Sequence, residues 1–162
     1  MHVQVLQRMR SAKRGKALVL LAIALSVGGC AKDDGSEGAV PVACKEGAER
    51  VQAALSRAPA RVELDGTALS ECFTRGSDGA ELQQVGATYL SVAARLSDGA
   101  RLRPAGTEAL ELGYLVGAVR RGAAGTQGVH DELARRIEQE TIGVDTRSAA
   151  YRRGYQAGRS RG

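Results

Sequence analysis

Large aromatic side chains are scarce in this sequence, which has one Phe, four Tyr and no Trp among 162 residues. Leu, Val and Ala must therefore fill the core, and alanine buries little apolar area. Histidine is rarer still: only His2 and His130 occur, so a metal centre made of several histidines is excluded. No glycine-rich phosphate-binding loop is present. The sequence predicts no catalytic residue, no cofactor and no metal site, and His130 is expected to be a partly exposed residue at the start of a helix.

Long hydrophobic runs are also missing. The longest apolar stretch, Ala17 to Gly29, has thirteen residues and would rise about 20 Å as a helix, against a hydrocarbon core of roughly 30 Å. A basic leader precedes it, with five cationic side chains: Arg8, Arg10, Lys13, Arg14 and Lys16. A charged start, a short apolar middle and small residues at its end predict a secretory signal peptide over residues 1–29.

This signal ends in Val27-Gly28-Gly29-Cys30. An aliphatic residue, two small residues and a cysteine resemble the lipobox of bacterial lipoproteins. The resemblance implies that Cys30 becomes the first mature residue and receives a diacylglyceryl group on its sulfur, which would anchor the protein on the exported side of a membrane. Because Ala31 rather than Asp follows, the sorting rule of that family favours the outer membrane in a host that has two. The alternative is an ordinary signal peptide beside an unmodified cysteine.

The net charge of +5 misleads, because five of the 23 basic residues lie in the leader. From residue 30 onward, basic and acidic side chains balance at 18 each. Five arginines crowd residues 147–162, so the stretch from 30 to 146 is acidic, with 13 basic against 18 acidic residues. A neutral exported chain gives no support for nucleic-acid binding.

Only two further cysteines occur, Cys44 and Cys72. Export would place them in an oxidising compartment, so the sequence predicts a disulfide between them. A metal-binding or catalytic thiol pair would need histidine or acidic partners at ligand spacing, and these are lacking. The bridge would compensate for a small core.

Apolar periodicity predicts an all-α bundle of about five helices over residues 43–143, after a flexible tether at 30–42. The predicted helices cover about 44–58, 68–73, 78–96, 107–123 and 127–141. Thr67, Thr107 and Thr126 are expected to cap three of them, and Ser97-Asp98-Gly99 to end the third. The segment from Arg61 to Leu64 alternates for too few residues to predict a strand.

The fourth helix is uncharged from Leu112 to Val119, which predicts a position in the middle of the bundle. Gly113 and Gly117 lie one turn apart within it and would let a neighbouring helix approach closely. A glycine pair at this spacing is also known from membrane-helix dimers, but here the apolar run is too short to span a bilayer.

The tail, residues 144–162, is left open between a short helix and a disordered segment. It combines five arginines with two tyrosines one turn apart, which makes it a candidate surface-binding region for anionic lipid or an envelope polymer. The alternative is a solvated terminus. The candidate residues are Arg147, Tyr151, Arg152, Arg153, Tyr155, Arg159 and Arg161.

Three functions fit these observations. The first is a non-enzymatic envelope protein that presents a helical surface to another protein, as a scaffold, assembly factor or inhibitor. The second is a small carrier of an apolar ligand, which predicts an internal cavity near Gly113 and Gly117. The third is a hydrolase, which would require acidic side chains that converge in a cleft.

Overall fold

The computed structural model describes residues 39–75 and 79–162. The predicted signal peptide, Cys30 and most of the tether lie outside the described residues. So do Ser77 and Asp78, one of which is expected from the sequence to cap the third predicted helix. Within them the chain forms helices and a single short hairpin, which confirms the all-α prediction. The elements are a 3-10 helix Val42–Lys45, α1 Ala48–Leu55, β1 Glu63–Leu64, β2 Thr67–Ala68, α2 Leu69–Thr74, α3 Gly79–Leu102, α4 Thr107–Gly122, α5 Val129–Gln139 and α6 Ala149–Arg161.

The first predicted helix is two elements in the structure. Gly47 adopts a φ of 92°, which interrupts the helical path between the 3-10 helix and α1. Upstream, Val40 is only 3% exposed, and its amide donates a 3.0 Å hydrogen bond to Oε2 of Glu81. The last residues of the predicted tether are therefore fixed against the bundle.

A two-residue turn joins the short strands β1 and β2. Asp65 and Gly66 have φ angles of 46° and 82°, the left-handed pair that a tight hairpin requires. The prediction of Thr67 as a helix cap is wrong, because Thr67 pairs with Leu64 in the hairpin and Ala68 directly precedes α2.

Three other predicted helix ends are wrong. Thr107 does not cap α4: it is the first residue of that helix, Gly106 precedes it, and the Thr107 hydroxyl donates to Oε2 of Glu108. Helix α3 continues through Ser97-Asp98-Gly99 to Leu102, because the Ser97 hydroxyl bonds the carbonyls of Ala93 and Glu140 instead of ending the helix. Thr126 does not cap α5; its hydroxyl donates to the carbonyl of Ala123, and Gly128 precedes the helix.

Helix α4 lies in the middle of the bundle, as predicted. Every residue from Leu112 to Val119 is buried, and α4 contacts α1, α2, α3, α5 and α6. Its neighbours run in two directions. Helix α3 is antiparallel to it, since Gly99 near the end of α3 faces Glu108 at the start of α4.

Helix α6 is parallel to α4, since Gly113 faces Tyr151 and Gly117 faces Tyr155. The tail left open by the sequence is therefore a sixth helix of the bundle.

The predicted disulfide joins the 3-10 helix to α2. Cys44 and Cys72 are both fully buried, and their Cα atoms are 5.6 Å apart. Helix α2 packs against the last turn of α4, where the Thr74 hydroxyl donates to the carbonyl of Gly122. The disulfide thus connects the N-terminal segment to the centre of the fold.

Two buried tyrosine hydroxyls hold irregular backbone in place. Tyr114 Oη accepts a 2.9 Å hydrogen bond from the amide of Val62, and Tyr89 Oη donates a 2.9 Å bond to the carbonyl of Leu69. Burial raises the pKa of both phenols, so both stay protonated.

Substitution Tyr114→Phe is expected to lower the free energy of unfolding by about 2 kcal/mol, because it leaves the buried Val62 amide without an acceptor. The matched change Tyr155→Phe removes a half-buried hydroxyl that bonds no described residue, and should cost about 0.5 kcal/mol or less. Urea unfolding of the two variants checks the difference; equal losses would contradict a structural role for the Tyr114 hydroxyl.

Candidate binding surface on helix α6

The candidate surface residues lie in α6 or just before it, and the structure separates them into buried and exposed groups. Tyr151 is 7% exposed and Tyr155 is half-buried, while the arginines at 147, 152, 153, 159 and 161 are all exposed. Ser148 caps the helix by accepting a hydrogen bond from the amide of Tyr151.

The inner face of α6 is occupied by α4. Its Gly154 and Gly158 lie against the carbonyls of Leu110 and Tyr114, in the same way that Gly113 and Gly117 of α4 lie against Tyr151 and Tyr155. Four glycines thus bring the two backbones into direct contact, as small residues do wherever helices pack closely. The cavity that the carrier hypothesis predicts near Gly113 and Gly117 is filled by α6.

The five arginines do not form one patch. Arg152 lines a groove with Thr146, whereas Arg153 lines a second groove against Gly106 and Thr107 at the start of α4. Arg159 and Arg161 lie at the far end of the helix. The predicted basic surface is therefore divided among different sides and ends of α6.

A groove of about 400 Å³ runs along one side of the first half of α6. Its lining combines aromatic rings, a cation and neutral polar groups: Thr146, Tyr151, Arg152, Tyr155 and Gln156. The two tyrosine rings are nearly parallel, at 12°, with centroids 6.4 Å apart. Burial, and then the nearby Glu138 carboxylate, raise the pKa of Tyr151, so its hydroxyl stays neutral. We refer to these five residues as the tyrosine groove.

An ion pair between α4 and α5 lies near the tyrosine groove. Arg120 of α4 makes a two-pronged contact with the Glu138 carboxylate of α5 through Nε and Nη2. That hydrogen bonding raises the pKa of Arg120, so it stays charged. Arg152 in the tyrosine groove forms no ion pair with a carboxylate of a described residue. The Arg120–Glu138 pair could not be predicted from the sequence, because eighteen residues separate its two members.

Arginines also cap the C-terminal ends of the two parallel helices, α4 and α6. Arg121 of α4 donates through Nη1 to the carbonyls of Arg159 and Ser160, at 3.3 and 2.6 Å. Arg159 of α6 donates in return to the carbonyl of Arg120, at 2.9 Å. Each helix thus supplies a cation to the carbonyl-rich, partially negative end of the other. The basic residues in the last turns of α4 and α6 are visible in the sequence, but which helix end each arginine would bond could not be predicted from it.

The serine at the end of α6 lies in a Gly-x-Ser-x-Gly sequence, from Gly158 to Gly162. In hydrolases that motif acts as a sharp turn between a strand and a helix, which exposes the serine. Here it forms the last turn of a helix, and the Ser160 hydroxyl donates to the carbonyl of Ala157. The local geometry is therefore not that of a nucleophile elbow.

His130 is half-buried in the first turn of α5, as predicted. Its ring and that of Phe73 meet edge to face, with centroids 5.7 Å apart. Its Nε2 is buried and has no hydrogen-bond partner among the described residues. The adjacent Glu132 turns away to pair with Arg135 and Arg136, which lowers its pKa. The structure brings no acidic partner to the imidazole within the part of the chain it describes.

Acidic side chains do meet cations in a groove of about 350 Å³ between α1 and the hairpin. Asp65 pairs there with Arg50, and Glu63 pairs with Arg61. Elsewhere, burial and then the Glu108 carboxylate raise the pKa of Glu111. Among residues 39–75 and 79–162, no group of three or more potential metal ligands converges, and no helix is long and apolar enough to cross a membrane.

Comparison with known proteins gives no relative: no protein-family model, no curated protein and no solved structure matches the chain. The case for a function therefore depends on the surfaces described above.

Proposed function

We propose that the protein is an exported lipoprotein, anchored through Cys30, that acts without catalysis by binding another envelope protein. The observation that carries this proposal is the tyrosine groove, in which two tyrosines surround an arginine without a carboxylate partner among the described residues. Tyrosine and arginine are the residue types most enriched among the energetically dominant residues of protein interfaces. The membrane anchor rests on the lipobox resemblance of Val27-Gly28-Gly29-Cys30.

The tyrosine groove suits a partner that presents a carboxylate beside an apolar or aromatic side chain. Arg152 would hold the carboxylate, and the neutral hydroxyl of Tyr151 together with the amide of Gln156 would supply hydrogen bonds. Tyr155, half-buried against α4, offers a ring whose position is already fixed, so little side-chain entropy would be lost on binding. The site is therefore preorganised.

A carrier of apolar ligands is the second candidate, and the packing favours the interaction protein over it. The place where a cavity was expected, beside Gly113 and Gly117, holds the backbone of α6. The tyrosine groove is open to the surface and not an enclosed cavity, which suits a side chain of a partner better than an enclosed ligand.

Site-specific crosslinking tests the proposed binding face. A photoreactive benzophenone side chain introduced at Gln156, inside the tyrosine groove, should form a discrete crosslink to a partner in intact cells. The same group at Arg153, on a different side of α6, should not. Arg152→Ala should weaken the Gln156 crosslink roughly tenfold, since a central arginine commonly contributes 1.4 kcal/mol or more, or about tenfold in affinity.

The control for folding is the melting temperature, which Arg152→Ala should leave within about 2 °C, because Arg152 is exposed and forms no ion pair with a described residue. Identical crosslinks from positions 153 and 156, or a crosslink at 156 that persists undiminished in Arg152→Ala, would rule out the tyrosine groove as the contact.

A further inference from the structure

We propose that the end of the bundle bearing Arg121, Arg159 and Arg161 is a docking surface for an anionic phospholipid bilayer. We call this the proximal end, because Val40, which follows Cys30 by ten residues in the sequence, is held there. The inference rests on the lipid anchor of the proposed function and adds an orientation to it: the proximal end faces the lipid, and the tyrosine groove lies toward the other end.

The position of the proximal end follows from three contacts. Val40 is bonded to Glu81 near the beginning of α3, so the described residue nearest to Cys30 that is bonded to the bundle lies at this end. Four residues later, Cys44 is joined to α2 by the disulfide. In α2, the Ser70 hydroxyl donates to the carbonyl of Gly162, directly after α6. The last turn of α6 is therefore on the side of the domain from which the anchor segment departs.

Chain length limits how far this end can lie from a bilayer that holds Cys30. Ten residues separate Cys30 from Val40, so the connection cannot exceed about 35 Å, and as a random coil it would average about 17 Å. Helix α3, with 24 residues, spans about 35 Å from Glu81 toward the opposite end, where Arg101 bonds the carbonyl of Ile142. The short connection therefore favours lipid contact at the proximal end.

The charge of this end is suited to anionic headgroups. From Ser148 to Gly162 the sequence contains no acidic residue. The guanidinium groups of Arg121 and Arg159 bond carbonyl oxygens at the partially negative helix ends, which offset only part of their charge. None of Arg121, Arg159 and Arg161 forms an ion pair with a carboxylate of a described residue, and all three are exposed. Three cations without a carboxylate partner at one end form an electrostatic docking surface.

Acidic groups near the proximal end belong to other helices and are mostly paired. Glu81 binds Lys45 and Glu71 lies near Arg75. Asp131, at the start of α5, is exposed, forms no ion pair with a described residue and lies near Arg120 of α4. Arg121, Arg159 and Arg161 outnumber this one carboxylate, so the half of the proximal end formed by α4 and α6 is the half that would face the headgroups.

Arginine labelling of the membrane-bound lipoprotein tests this orientation. The lipoprotein, purified from membranes, is reconstituted into phosphatidylcholine vesicles with or without about one third phosphatidylglycerol, treated with phenylglyoxal and analysed by mass spectrometry. The anionic lipid should slow labelling of Arg121, Arg159 and Arg161 several-fold, and added salt should remove the protection, because screening acts over about 10 Å at 0.1 M. The internal controls are the arginines nearer the other end of α6, Arg147, Arg152 and Arg153, whose labelling should not change.

If anionic lipid changed the labelling rate of none of the six arginines, the docking surface would be overturned. Protection of Arg147, Arg152 and Arg153 instead would also overturn it. The anchor is tested separately, because the wild-type protein should sediment with pure phosphatidylcholine vesicles and Cys30→Ser should not. If the wild type also stays in solution, the anchor fails, and the labelling pattern on anionic vesicles still decides the docking surface.

A matched pair of substitutions keeps the test independent of helix capping. Arg161→Gln removes a cation that makes no hydrogen bond to a described residue, so the fold should be retained. It should lower the ratio of docked to undocked protein roughly fivefold, read from the labelling of Arg159. Arg153→Gln, on the same helix, should leave that ratio unchanged. Equal effects of the two variants would overturn the proposal.

Discussion

Substitution of Gly154 by alanine is expected to lower the free energy of unfolding by about 4 kcal/mol or more, in the extreme range for a single residue. A Cβ at this position would lie 2.9 Å from both the carbonyl carbon of Leu110 and the amide nitrogen of Tyr114, and closer still to the Leu110 oxygen. The obstacle is backbone within a helix, which cannot rotate away as a side chain can. Helices α4 and α6 would have to separate, and the buried centre of α4 would lose its cover.

Alanine substitutions at two other glycines are expected to have smaller effects on stability. Gly79, at the start of α3, has no described residue within 4 Å of the position that a Cβ would take, so Gly79→Ala should be neutral or slightly stabilising. At Gly86 the Cβ would meet the tip of the Leu133 side chain at 2.8 Å, which can move, and the loss should be about 1–2 kcal/mol. Denaturant unfolding of the three variants measures the series. If Gly154→Ala were as stable as Gly79→Ala, the direct backbone contact between α4 and α6 would be disproved.

Loss of the Cys44–Cys72 disulfide is expected to have the next largest effect, about 3.5 kcal/mol. The bridge closes a loop with a sequence separation of 28, and in the chain-entropy treatment a loop of this length restricts the unfolded chain by that amount. Both sulfur-bearing side chains are fully buried, so the folded state also loses packing if they are replaced. Since a small domain has only about 5–15 kcal/mol of stability, the melting temperature should fall by roughly 15 °C.

Thermal unfolding with and without a phosphine reductant measures this loss. The double variant Cys44→Ala/Cys72→Ala is the control: it should melt at a similar temperature to the reduced protein and should not respond to the reductant. A wild-type melting temperature that is unchanged after complete reduction, verified by thiol alkylation, would show that the disulfide does not stabilise the fold.

The features that the sequence predicts well are those that each element determines by itself. The uncharged run from Leu112 to Val119 has no side that tolerates water, so a buried α4 follows from its composition alone. Cys44 and Cys72 are the only cysteines besides Cys30, which the lipobox resemblance assigns to a lipid, and their pairing is confirmed. In contrast, Ser97 and Gly99 look like a helix end locally, but Ser97 finds an acceptor in Glu140, forty-three residues away. Tertiary contacts overrode the local signal.

The candidate site shows the same limit. Glycines spaced four apart occur in both α4 and α6, and this shared spacing was a signal that the two segments could pack on each other. Periodicity could not predict in which direction each arginine points once α4 covers one side of α6. Arg152 and Arg153 are adjacent in sequence but line different grooves. Arg120 pairs with Glu138, the carboxylate near Tyr151 of the tyrosine groove, and it belongs to a different helix, α4.

The parallel pairing of α4 with α6 also determines the order in which the domain can assemble. Parallel neighbours need a crossover, and α5 with its flanking loops provides it, so the two glycine-bearing helices meet only after residues 123–148 have been placed. Helix α6 follows every other described helix in the chain. A protein that emerges N-terminus first would keep the side of α4 that bears Gly113 and Gly117 exposed until the last helix arrives, and such partly folded chains tend to aggregate. The final step of folding would thus be the docking of one short helix that has glycine where most helices place their apolar side chains.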